Sequence, residues 1–128
     1  RSCGQKYDIP YPVKIKENIN KNISVLLRKY GKVAIWGMTF PVMNLFSQLN
    51  ILNDRNVFAV DISESKRQMD LCGKKIYSPD VLNKENIKVV VIAVPFFGSQ
   101  ISCQVKENHP GVSEIIDICK LVDVNPVK

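Results

Sequence analysis

Few residues in this chain are placed to do chemistry, and the first is Gly37. It closes the apolar run Lys32-Val33-Ala34-Ile35-Trp36 and precedes a stretch with helical spacing. A glycine at such a turn lets a backbone approach a phosphate, and the helix behind it offers N–H groups. The dinucleotide fingerprint needs glycine at 37, 39 and 42. The chain has Gly37, Thr39 and Val42, and Pro41 removes one amide donor. Gly37, Met38 and Thr39 are therefore candidates for an anion- or adenosine-binding turn. The other reading of Gly37 is a tight strand–helix turn without a ligand. Asp61 ends a second apolar run, 24 residues after Gly37, near the ~20-residue spacing of a ribose-binding carboxylate. There it can accept from both ribose hydroxyls, or it can cap the loop that follows, which contains Ser63.

Pro95-Phe96-Phe97-Gly98 follows the most apolar run of the chain, Val89 to Val94. Two adjacent aromatics beyond a strand can stack on a base or dock a neighbouring domain. Pro95 and Phe96 join the candidate site, with docking or packing as the competing role. Lys66 and Arg67, in the loop after Asp61, can meet a phosphate or lie in solvent. His109 stands before Pro110 in a turn, without a neighbouring nucleophile or carboxylate, which is poor support for a general base. No GxSxG, HExxH or Walker pattern occurs. The chain is not expected to be a complete catalyst on its own.

The elements that must position these residues follow from periodicity. Ile15, Ile19, Ile23, Leu26, Leu27 and Tyr30 recur at helical spacing, and Gly31 follows as a stop. Strands are expected at 32–37, 56–60, 75–77, 89–94 and 114–118. Helices are expected over 41–52, with Pro41 in its first turn, and over 99–107, with Ile101 and Val105 inward. Ser78-Pro79-Asp80 reads as an N-cap with proline at the first position, opening a short helix through Leu82. The charged stretch 63–73 is expected to be loop, and 108–111 a turn. Val89 to Val94 shows no polar alternation, which marks a strand covered on both faces and hence a parallel sheet. The fold expected is α/β: a Rossmann-like three-layer α/β/α arrangement with a mainly parallel five-stranded sheet, order 3-2-1-4-5, plus an N-terminal helix. Residues 1–13, with Pro10 and Pro12, read as a linker or arm, 14–122 as the domain and 123–128 as a tail.

Composition narrows the function classes. With 45% apolar and 23% charged residues, the 128-residue chain is globular rather than disordered or fibrous. No apolar run approaches the ~18 residues of a membrane span. The net charge of +6 comes from scattered lysines rather than a clustered face, so no nucleic-acid partner and no membrane are expected. Cys3, Cys72, Cys103 and Cys119 form no CxxC pair, so reduced thiols in a cytoplasmic protein are expected. Cys103 and Cys119 lie in apolar segments, where a thiol packs as a small hydrophobe. No metal site is expected, although Cys3 beside Gly4 has the form of one end of a zinc knuckle. The chain opens at Arg1 rather than Met, as a fragment would.

Several strings together carry a resemblance: Val33-Ala34-Ile35-Trp36-Gly37, Val57-Phe58-Ala59-Val60-Asp61, Gly73-Lys74-Lys75-Ile76-Tyr77-Ser78-Pro79-Asp80-Val81-Leu82, and Val89 to Val94. This layout resembles the small Rossmann-like domain at the C-terminal end of sugar C-methyltransferases and beside FkbM-type methyltransferases. It is also similar to the N-terminal domains of nucleotide-sugar acyltransferases and of epimerase/dehydratases. The resemblance covers about residues 32–118. It implies a methyltransferase-associated accessory domain of a transferase acting on nucleotide-linked sugars. Such a domain would bind a nucleotide or nucleotide-sugar at Gly37, Met38, Thr39, Asp61, Ser63, Pro95 and Phe96, and sit against another domain or subunit. Those families carry more glycine after the first strand, where this chain has Met38-Thr39-Phe40-Pro41. The chain has no S-adenosylmethionine motif, so methyl transfer would need a separate domain. The alternative expectation is a degenerate Rossmann-like domain that serves assembly or docking without a small-molecule ligand.

Overall fold

A computed structural model describes residues 12–69, 71, 73–94 and 98–122. Five strands form one parallel sheet: β1 (Val33–Trp36), β2 (Val57–Val60), β3 (Ile76–Tyr77), β4 (Val89–Ile92) and β5 (Glu114–Asp117). Their order is β3-β2-β1-β4-β5, the order expected from the sequence. Val33 pairs in register with both Val57 and Val89, so β1 lies at the centre. Every residue of β1, β2 and β4 is buried. This is why these strands show no polar alternation: both faces are covered. Val33 and Ile35 point to one core, and Ala34 and Trp36 to the other.

The first core lies under α1 (Val13–Tyr30) and α2 (Phe40–Gln48). Ile19, Ile23 and Leu26 of α1 are buried at three- to four-residue intervals. Gly31, at φ 82°, ends α1 by donating its N–H to the Leu27 carbonyl at 2.8 Å, a conformation suited to glycine. The C-terminal 3₁₀ turn, Ile118–Val122, closes the same core with Leu121. The second core lies under α4 (Val81–Lys84) and α5 (Gly98–Asn108), with Val81, Leu82 and Val105 buried. The remaining helix, α3 (Glu64–Arg67), is a single turn after β2. No helix among the described residues is long and apolar enough to cross a membrane.

Four local expectations are corrected. The helix expected over 41–52 is divided: α2 stops at Gln48, Leu49 is extended (φ −123°, ψ 115°), and a 3₁₀ turn covers Asn50–Asn53. Leu49 and Leu52 are still buried in the first core, so the break keeps the apolar side inward while the chain turns toward β2. The stretch 63–73 is not all loop, because Ser63 Oγ accepts the Lys66 N–H at 3.4 Å and caps α3. The fourth helix begins at Val81 without a side-chain cap. Backbone bonds from Val81 to Ser78 and from Leu82 to Pro79 make the turn instead. Cys103 and Cys119 are exposed, not packed, because each falls on the solvent side of its element. Residues 1–11 and 123–128, most of the expected arm and the whole expected tail, lie outside the described residues, as do Cys3 and Cys72.

Candidate functional site

The parallel sheet puts the ends of β1, β2 and β4 side by side, and a cavity of about 340 Å³ opens there. Trp36, Gly37, Met38 and Thr39 come from the end of β1 and the turn after it. Asp61, Ile62, Ser63 and Lys66 come from the loop after β2 and from α3. Val94 follows β4, and Gln100, Ile101 and Gln104 come from α5. In an open α/β sheet this is the switch point, where the chain leaves the central strands in opposite directions. The volume is at the lower end of the range for small-molecule sites.

Asp61 joins the two loops of the site. Its Oδ2 accepts the Met38 N–H at 2.7 Å, and its Oδ1 accepts the Ser63 N–H at 2.8 Å. The Asp61 N–H donates to the Tyr77 carbonyl at 3.0 Å, which continues the β2–β3 ladder by one residue. The carboxylate is therefore held from both sides by backbone. The sequence reading of Asp61 as a loop cap describes its present bonds. A carboxylate oxygen can accept more than one hydrogen bond, so Asp61, which lines the cavity, keeps acceptor capacity beyond these two.

Gly37 has a structural reason to be glycine. Its φ is 114°, and a Cβ built there would collide with the Val94 side chain. Its N–H donates to the Val60 carbonyl at 2.8 Å. Met38 is fully buried in the core under α1 and α2, so its part in the site is the N–H held by Asp61. Thr39 is half-buried ahead of α2, and its hydroxyl makes no capping bond to that helix.

The two basic residues after Asp61 separate. Lys66 lines the cavity, with its ammonium 4.3 Å from the Phe40 ring centroid. The Arg67 guanidinium turns to the loop, donating to the Ile62 carbonyl at 2.7 Å and the Asp61 carbonyl at 3.4 Å. Arg67 thus braces the loop that holds Asp61. Phe40 and Ile62 are unusually exposed for their type, at 44% and 61%.

Five of the seven residues expected at the site, Gly37, Met38, Thr39, Asp61 and Ser63, line this one cavity. Pro95 and Phe96, with Phe97, lie outside the described residues. His109 is elsewhere. It is 5% exposed at the far end of α5, its N–H bonded to the Val105 carbonyl, and its Nδ1 has no partner among the described residues. Sequence reasoning missed Gln100 and Gln104. It read α5 through Ile101 and Val105, but the four-residue spacing of the two glutamines puts them on one side of the helix. Among the described residues no three His, Cys, Asp or Glu side chains gather as a metal site would require.

A comparison with protein-family models finds none that matches the chain, and comparisons with curated proteins and with solved structures find no significant match.

Proposed function

We propose that the chain is an accessory Rossmann-like domain that binds a nucleotide or nucleotide-sugar in the cavity at the carboxyl ends of β1, β2 and β4. The parent would be a methyltransferase-type enzyme acting on nucleotide-linked sugars, with the reacting groups on another domain or subunit. One observation carries the binding reading: a cavity of about 340 Å³ at the switch point is lined both by Asp61, from the loop after β2, and by Lys66, from α3. Asp61 supplies an acceptor for sugar hydroxyls, Lys66 supplies a cation, and Gln100 and Gln104 offer donors and acceptors from α5. The exposed thiols of Cys103 and Cys119 suit a reducing compartment, so the reading places the protein in the cytoplasm.

The test is a thermal-shift panel of NAD, NADP, S-adenosylmethionine, coenzyme A and UDP-, GDP- and dTDP-sugars. A ligand at ~100 times its dissociation constant stabilises the fold by ~2.7 kcal/mol, a shift of several degrees. A selective hit that Asp61→Ala removes, in a variant that still folds, supports the proposal. A flat panel on folded protein rejects it in favour of docking. That second reading rests on the exposed Phe40 and Ile62 beside the cavity.

A further inference from the structure

We infer that the outer face of α1 is a docking surface for an anionic phospholipid bilayer. The inference is independent of the nucleotide reading, because α1 contributes no residue to the lining of the cavity.

Along the sequence the basic residues look scattered, but the fold gathers most of their excess on one side. α1 carries Lys14, Lys16, Lys21, Arg28 and Lys29 against Glu17 alone, a net charge of +4. The 3₁₀ turn Ile118–Val122, which packs on α1, adds Lys120 and no acid. The other main neighbours of α1, β1 and the 3₁₀ turn Asn50–Asn53, carry no charged side chain. This face therefore holds +5 of the chain's net +6, and the remaining charges nearly cancel, with twelve basic residues against eleven acidic. Lys14, Lys21 and Arg28 are exposed and recur every seven residues. They form one line opposite the buried Ile19, Ile23 and Leu26, about 10 Å apart at a rise of ~1.5 Å per residue.

Helix stability does not account for these charges. The first turn of α1 contains Lys14 and Lys16 and no acidic residue, so two cations stand at the positive end of the helix dipole. Among the described residues none of the five basic side chains of α1 makes an ion pair. The charges are unfavourable locally and point to an anionic partner outside the chain. A second copy docked face to face does not fit, because it would bring the same charge against itself.

A bilayer surface fits the side chains present. Four of the five basic residues of α1 are lysines, point charges on flexible stems that follow mobile headgroups. Val13 is 65% exposed beside Lys14, and Val25 is half-buried between Lys21 and Arg28. Apolar side chains among cations suit the boundary between headgroups and acyl chains. A single-stranded nucleic acid calls for aromatic platforms, and Tyr30, the aromatic residue of α1, is packed against the first core. Clusters of about four to eight basic residues on one helix bind anionic lipid, with about fivefold in affinity from each.

Co-sedimentation of the full chain with vesicles is the test. The vesicles hold about 30% phosphatidylserine in phosphatidylcholine, or phosphatidylcholine alone, at about 0.05 and 0.5 M salt. The expected result is binding to phosphatidylserine vesicles at low salt, none to phosphatidylcholine, and release at high salt. The triple variant Lys14→Gln/Lys21→Gln/Arg28→Gln should bind about a hundredfold more weakly. Lys75→Gln/Lys84→Gln/Lys106→Gln removes the same charge from exposed positions elsewhere. It should stay within about threefold of the unmodified chain, since distant charges are screened. Equal losses in the two triple variants overturn the inference, because net charge rather than this face would then bind. No binding to phosphatidylserine vesicles also overturns it and leaves the face to an acidic protein surface. Release from the vesicles by RNA or duplex DNA, at about one tenth of the lipid's anionic charge, overturns it in favour of a nucleic acid. If circular dichroism shows the first triple variant unfolded, Arg28→Gln alone decides, with about a fivefold loss expected.

Discussion

The Met38 N–H and the Asp61 carboxylate meet at 2.7 Å, and this bond ties the turn after β1 to the loop after β2. Because Asp61 also holds the Ser63 N–H at 2.8 Å, one side chain sets the spacing of both loops that form the cavity. Asp61 is therefore a structural brace and the candidate ligand acceptor at once, and its substitution tests both.

Asp61→Ala leaves the N–H of the fully buried Met38 without an acceptor. The expected loss is about 2 kcal/mol of stability, since two bonds to a carboxylate go together. Asp61→Asn keeps one acceptor oxygen and is expected to cost about half as much. Urea denaturation measures both, with a lower midpoint and an unchanged slope. An alanine variant as stable as wild type would mean that the brace contributes nothing.

Gly37→Ala meets two obstacles, a φ of 114° and the Val94 side chain. The combined cost is expected at about 2–4 kcal/mol. Val94→Ala removes only the collision. In a double-mutant cycle it should recover part of the loss and leave the backbone share intact. Strict additivity of the two substitutions would show that Val94 does not fill the glycine face.

Asn22 is 3% exposed and donates from Nδ2 to the Leu121 carbonyl at 2.7 Å, tying α1 to the last 3₁₀ turn. Asn18 makes the same kind of bond to the Val122 carbonyl at 2.8 Å, in a half-buried position. Asn22→Ala strands a buried carbonyl and should cost about 1–3 kcal/mol, while water relieves Asn18→Ala to under about 1 kcal/mol. Equal effects in chemical denaturation would contradict this order.

Lys74 sets a pH dependence. Its ammonium donates to the Asp54 carbonyl at 3.0 Å. Burial pushes its pKa below the ordinary 10.5, partly offset by the Asp54 charge. Between the lowered folded value and the ordinary one, the unfolded chain holds more protons, so stability rises with pH across that window. Below the window, burial of the charged form weakens the fold by a constant amount. Lys74→Met should flatten the alkaline rise relative to wild type in urea midpoints taken from about pH 8 to 11. Parallel pH profiles for the two proteins would remove Lys74 as the source.

Much of the architecture was legible in residue types. The interval of Ile19, Ile23 and Leu26, with Gly31 after them, marks α1 and its end. The unbroken apolar runs of β1, β2 and β4 require cover on both faces, and helices between such strands lead to a parallel sheet in the observed order. Local bonds were less legible. The break at Leu49 and the single turn of α3 depend on where the next strand must start and on one serine cap, which periodicity does not encode.

For the candidate site, the sequence by itself determined which turns would face one another. Gly37 and Asp61 each end a parallel strand, and strands paired in register bring their ends to one edge. Tertiary structure alone decided what those residues do there. Whether Gly37 faces open space depends on Val94, more than fifty residues away in sequence. Whether the Met38 amide meets a ligand or Asp61 depends on a distance between two loops. The separate fates of Lys66 at the cavity and Arg67 on backbone carbonyls follow from the roughly 100° between successive residues on a helical turn, and from what packs beside each. Strand periodicity is a local property and can be read along the chain. Contacts across the sheet edge arise only when separate segments pack.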